Sequence, residues 1–112
     1  MLEVPASHRA LVVSLLQRRL PHCSAMAFGS RVSGWPGGVA AKPYSDLDIA
    51  LWGLLPPDDL ALAHLRADLE ESPLPWRVDL SNAQNLPDAL RGAVLSHGAL
   101  LFGKLEQFTL AA

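Results

Sequence analysis

Apolar residues recur along this chain with two periods, one near 3.6 and one of 2, and the change from one to the other marks its elements. Residues 5–20 follow the helical period. Val12, Leu16 and Leu20 form one stripe with Leu11 and Leu15 beside it, and Pro21 ends the run. His8, Arg9, Arg18 and Arg19 then form the solvated side of that predicted helix. A short apolar run over 24–28 reads as a buried strand that stops at Gly29-Ser30, followed by a short helical turn from Ser30. The Gly and Pro residues of S-G-W-P-G-G over 33–38 make that stretch loop. Trp35 within it is costly to expose, and is expected to fold back on the body or to contact a base or partner.

Residues 44–51, Y-S-D-L-D-I-A-L, alternate as a strand. Pro56 and Pro57 break the chain, and Asp58 is placed to cap a helix running to about Glu71, with Leu62, Leu65 and Leu69 inward. On it Asp68, Glu70 and Glu71 read as a wet face and His64 as an ordinary helix histidine. Pro73 and Pro75 lead into W-R-V-D-L over 76–80, again alternating. A last helix begins at Asn85 or Leu86, with Pro87 in its first turn and Leu90, Val94 and Leu95 inward. It is predicted to end at Gly98 in a left-handed cap, and 99–102 form a final strand. By periodicity alone this is a chain of alternating helices and strands, an α/β fold.

Extended backbone sends alternate side chains to opposite faces. Asp46 and Asp48 therefore share one face while Leu47, Ile49 and Leu51 take the other. Two positions along a strand span about 6.5–7 Å, at which two like charges repel by roughly 2.5 kcal/mol at an effective dielectric of 20. Solvent and an arginine, Arg31 or Arg77, can offset that repulsion. A divalent cation can do so too, because carboxylates on one rigid face suit Mg²⁺ beside substrate phosphates. The segment 76–80 adds a third acid, with Trp76, Val78 and Leu80 on one face and Arg77 and Asp79 on the other. Gly29 permits a tight turn close to a ligand, and Ser30 brings a backbone N–H and a hydroxyl.

Length and composition narrow the picture. The 112 residues suit a single domain over 1–112 with one core and no second substrate domain, half of them hydrophobic and 18% charged. A net charge of −2 without a concentrated Lys/Arg window argues against a broad nucleic-acid footprint. Cys23 is the only cysteine, so no intrachain disulfide forms, and no Cys/His spacing suggests zinc. Neither a signal-peptide pattern nor a membrane-length apolar run is expected, and the cytoplasm is the natural compartment. The tail over 104–112 carries Leu105, Phe108 and Leu110, which either dock on the parent sheet or contact a partner.

Gly-Ser, a loop, S-D-L-D and then V-D-L together resemble the DNA polymerase beta-like nucleotidyltransferase superfamily, in its minimal nucleotidyltransferase (MNT) branch, over nearly the whole chain. The resemblance implies a small mixed, mostly antiparallel sheet flanked by helices, with the acids on an open face. It implies that Gly29 and Ser30 hold a nucleoside triphosphate, and that Asp46 and Asp48 bind two Mg²⁺ ions. Asp79 then shares one metal and helps activate an attacking hydroxyl. On the nucleotide-binding side, Arg31 or Lys42 is placed to add positive charge near the leaving group. The stretch from Arg31 to Ser45 is longer than is usual in the branch, the added length being W-P-G-G-V-A, which bears on substrate access and turnover.

The function this implies is antitoxin activity: transfer of AMP from ATP to a hydroxyl, a tyrosine's, on a partner HEPN toxin. Two other readings stand beside it. One is a binding module that neutralises its partner by contact alone, for which alanine at Asp46 and Asp48 leaves neutralisation intact. The other is a stand-alone transferase acting on a small hydroxyl compound such as an aminoglycoside, for which the chain lacks a substrate domain.

Overall fold

The computed structural model describes residues 2–38 and 44–103. Helix α1 (Ala6–Arg19) leads to strand β1 (Ser24–Phe28), a single 3-10 turn over Gly29–Arg31, and strand β2 (Leu47–Trp52). A second 3-10 turn over Pro56–Asp58 opens helix α2 (Asp59–Glu71). Strand β3 (Val78–Asn82), helix α3 (Asp88–His97) and strand β4 (Ala99–Phe102) complete the described fold. The sheet has the order β3-β2-β1-β4. β1 pairs antiparallel with both β2 and β4, whereas β2 and β3 are parallel, joined by the α2 crossover. This is the mixed, mostly antiparallel sheet that the resemblance implied.

Strand alternation sorts the core into two clusters. Ala25, Ala27, Leu47, Ile49, Leu51 and Leu80 face α1 and α2, where Val12, Leu16, Leu65 and Leu69 meet them. Met26, Ala50 and Trp52 face the other way and are buried with Val94 of α3 and Ala83. The helices therefore cover both faces. The acid-bearing face, expected to be open, is closed at its far end because Ala50 and Trp52 continue the Asp48 row into apolar side chains that need burial. Only the Asp48 end is left to solvent.

Other expectations change in detail. Gly98 ends α3 with φ −70° and ψ 168°, in extended and not left-handed backbone. A Cβ there would stand 2.5 Å from Val94 O and 2.9 Å from Ala27 O, so glycine serves close packing of helix end on strand. The Asp58 carboxylate turns back to accept Leu55 N–H at 2.8 Å and pairs with His22 Nε2 at 2.8 Å instead of capping α2. The solvated side of α1 is also put to use. Arg19 Nε donates to Asp68 Oδ2 at 2.7 Å, tying α1 to α2, and Arg9 donates to Leu100 O at 2.8 Å on β4. His8 lies edge-on to Trp76 with ring centroids 5.9 Å apart. Among the described residues no helix is long and apolar enough to cross a membrane. The tail from residue 104 lies outside the described residues.

Candidate active site

The candidate acids come from neighbouring strands. In the ladder register Asp48 stands opposite Phe28 on one side and Asp79 on the other, so one row across β1, β2 and β3 reads Phe28, Asp48, Asp79. Directly opposed residues project from the same face, with adjacent strands about 4.8 Å apart. Asp46 lies in the residue immediately before β2, exposed, as is Asp79, while Asp48 is half-buried. Burial first, then the charges of Asp79 and Asp46, push the Asp48 carboxyl up to about 6. The charges of both neighbours thus reach Asp48.

β1 delivers the backbone turn to the same place. Gly29 follows Phe28 with φ 81°, the left-handed region, and a Cβ built on it would stand 2.6 Å from Asp48 Oδ2. The turn therefore presses bare backbone against the central acid, which is why a glycine sits there. Ser30 comes next, half-buried, and lines a cavity of 220 Å³ with Ser33, Gly34 and Trp35. Trp35 folds back on the body. Its ring packs against Phe28 at a centroid distance of 5.9 Å and walls the row on the β1 side.

Arg31 is turned inward, at 5% exposure. Its Nε donates to Ser45 O at 2.7 Å, its NH1 donates to Glu3 O at 3.2 Å, and its guanidinium carbon lies 4.7 Å from the Trp76 ring centroid. Burial lowers its pKa from the ordinary value, opposed by the charges of Asp46 and Glu3. These bonds engage the guanidinium with the frame beneath the site, and so the sequence reading that pointed it at a nucleotide does not match its orientation. What Arg31 does connect is the turn after Ser30, the residue before Asp46, and the entry to the Asp79 strand. Nothing in the local sequence signalled this, because its partners lie 14, 28 and 45 positions away. Lys42 lies outside the described residues.

A cluster that spacing did not reveal sits elsewhere. Among the described residues, ligand atoms of His22, Cys23 and Asp58 all lie within 4.8 Å of one another. Its polar members are already paired, and burial, then the charge of Asp58, pushes the Cys23 thiol up to about 11. It reads as an ion pair over a buried thiol.

Asp48 and Asp79 on one face, with Asp46 close enough for its charge to act on Asp48, offer an all-oxygen donor set that suits a hard divalent cation such as Mg²⁺. Burial is the larger cause of the raised Asp48 pKa and the charges of Asp79 and Asp46 the smaller, and a bound cation would offset both by favouring the ionised form.

No protein-family profile matches the chain. It is 44% identical over 79 residues to the probable protein adenylyltransferase MntA of Haemophilus influenzae, an alignment covering 70% of this chain and 65% of that protein. The chain thus spans just under two thirds of that relative's length. Among solved structures, the toxin-antitoxin MntA-HpeT with two aspartates, two positions apart, changed to glutamate superposes with a TM-score of 0.70. Its identity is 25%, covering 93% of this chain and 80% of that one. The toxin-antitoxin with AMP-PNP gives a TM-score of 0.70 at 27% identity with the same coverage. The parallel β2–β3 pair carrying opposed acids and the glycine turn against the central one thus belong to a chain that is similar in sequence to MntA and shares the fold of the toxin-antitoxin structures.

Proposed function

We propose that the chain is an antitoxin nucleotidyltransferase that moves AMP from ATP to a tyrosine hydroxyl of a partner HEPN toxin in the cytoplasm. The observation that carries this reading is the meeting of the Gly29 turn with the Asp48–Asp79 row, bare backbone pressed against the central acid. The relatives support it. One is called a probable protein adenylyltransferase, one was crystallised with AMP-PNP, and the aspartates replaced in the MntA-HpeT structure have the spacing of Asp46 and Asp48.

In this reading Gly29 and Ser30 hold the triphosphate, with the Ser30 hydroxyl and backbone donating to its oxygens. Asp46, Asp48 and Asp79 hold Mg²⁺, which when bound stabilises the charge developing on the phosphate oxygens during in-line displacement. The acceptor oxygen bonds to the α-phosphorus, the bond from that phosphorus to the bridging oxygen breaks, and pyrophosphate leaves with the electron pair. Asp79, at the edge of the row, takes the hydroxyl proton. Arg31 keeps Ser45, and with it Asp46, in register with the turn.

The test is the intact mass of the co-expressed partner toxin after incubation with ATP and Mg²⁺, against Asp46→Ala/Asp48→Ala. The expected result is one or more AMP increments that the double variant does not produce. Unmodified toxin that is still neutralised would sink the transferase reading in favour of neutralisation by contact.

A further inference from the structure

β3 is an edge strand of the sheet, and its outer side opens into a groove against α2. A cavity of 400 Å³ runs along Leu74, Trp76, Arg77, Val78 and Asp79. A second, of 570 Å³, continues along Leu54, Leu62, Ser81 and Asn82. Both are lined by Arg66 and Leu80, so together they follow the whole length of β3. Leu47 N–H donates to Arg77 O at 2.8 Å, which turns the backbone of the odd-numbered residues of β3 toward β2. Alternation then turns the N–H and C=O groups of Val78 and Leu80 toward the groove. The opposite edge is guarded, since Leu100 O on β4 is occupied by Arg9.

We infer that this groove receives the acceptor segment of the partner as an added strand: an extended peptide whose backbone pairs with Val78 and Leu80 and whose hydroxyl-bearing residue lies beside Asp79. The inference rests on the transferase reading and adds to it the class of substrate. Asp79 lines the first cavity, so a strand paired there passes the acid that takes the acceptor's proton. Backbone pairing supplies affinity, and alternate side chains of the peptide enter the apolar floor made by Leu62, Leu69, Leu74 and Leu80. Arg66 and Arg77 are exposed, and neither makes an ion pair or side-chain hydrogen bond among the described residues. Arg66 sits where the two cavities join. Glu70, Asp58 and Asp59 line the same cavities, so the groove carries both signs and selects a peptide by its backbone and by apolar residues on alternate positions.

The probe is a fluorescein-labelled nonapeptide alternating Val and Gln around one Tyr, read by anisotropy with the full chain, beside two copies N-methylated on alternate amides. One N-methyl set is expected to abolish binding and the other to spare it, as edge pairing with period two demands. Hydrogen exchange of the Val78 and Leu80 amides should slow at least about tenfold on binding. Equal tolerance of both N-methyl sets, or exchange protection confined to other residues, overturns the groove assignment. Transfer from ATP is read separately by mass. AMP on the partner toxin with no peptide bound overturns the groove while leaving the transferase. AMP on neither overturns the transferase reading and the acceptor assignment with it.

Discussion

Gly29 and Asp48 share a space that admits only one of their side chains, since a Cβ on Gly29 would stand 2.6 Å from Asp48 Oδ2. The 3-10 turn and the central acid are therefore set by one contact. Gly29→Ala is expected to cost about 1–3 kcal/mol from the left-handed backbone alone. It also displaces the Asp48 carboxylate. Calorimetry should show the lower melting temperature, and AMP transfer followed by intact mass should fall by roughly tenfold or more.

Asp48 gives a stability effect of opposite sign. Its folded carboxyl titrates at about 6, above the ordinary value of 3.8. The folded chain therefore holds a proton there that the unfolded chain has released. Its contribution to stability is complete below pH 3.8 and is lost as pH rises through about 6. Asp48→Asn removes that loss and should raise the metal-free melting temperature near neutral pH by about 2–6 °C while abolishing transfer. In the unaltered chain, Mg²⁺ affinity should weaken as pH falls below about 6, because the ionised carboxylate is the form that binds the ion. A variant no more stable than the parent at neutral pH, or a Mg²⁺ affinity flat across that window, would contradict this account.

For Arg31 the expected losses separate by variant. Arg31→Ala strips donors from Ser45 O and Glu3 O and the packing over Trp76, at a cost of about 2–4 kcal/mol by denaturant unfolding. Arg31→Lys keeps the charge but has no planar fork to serve both carbonyls and the ring together. It should fold, with transfer reduced mainly in kcat because the Ser45–Asp46 segment is held less firmly. A Lys variant with unchanged kcat would show that the frame does not need this arginine.

Cys23 should be nearly inert. It is 2% exposed and its thiol is pushed up to about 11 by burial and then by Asp58, so the nucleophilic thiolate is scarce. Reaction with a disulfide reagent near neutral pH should run roughly a hundredfold slower in the native protein than after unfolding. Rapid native labelling would mean the β1 end of the core opens readily.

The outline of this architecture was legible because period and punctuation are local properties. Leu47, Ile49 and Leu51 announce a strand with one apolar face, and Val12 and Leu16 announce a helix, whatever lies around them. The acid row was legible for the same reason, since alternation alone puts Asp46 with Asp48 and Asp79 opposite its own apolar neighbours. What escaped were features fixed by contacts across the chain. Arg31 looks like a phosphate ligand in the local sequence, and only the arrival of Ser45, Glu3 and Trp76 turns it inward. The covering of Ala50 and Trp52 by α3 and the tight seat of Gly98 against Ala27 depend on the same kind of meeting.

The parallel pairing of β2 with β3 has a consequence in time. A hairpin can close as soon as its two strands leave the ribosome, whereas parallel neighbours must wait for the crossover between them. Asp48 is made early and can pair with Phe28 almost at once, but its partner Asp79 arrives only after α2. A nascent or truncated chain ending before Val78 holds two of the three acids and has no β3 edge. Such fragments are predicted to be silent, so that competence appears in one step, late in synthesis, and the amount of active protein in a cell follows finished chains and not translation begun.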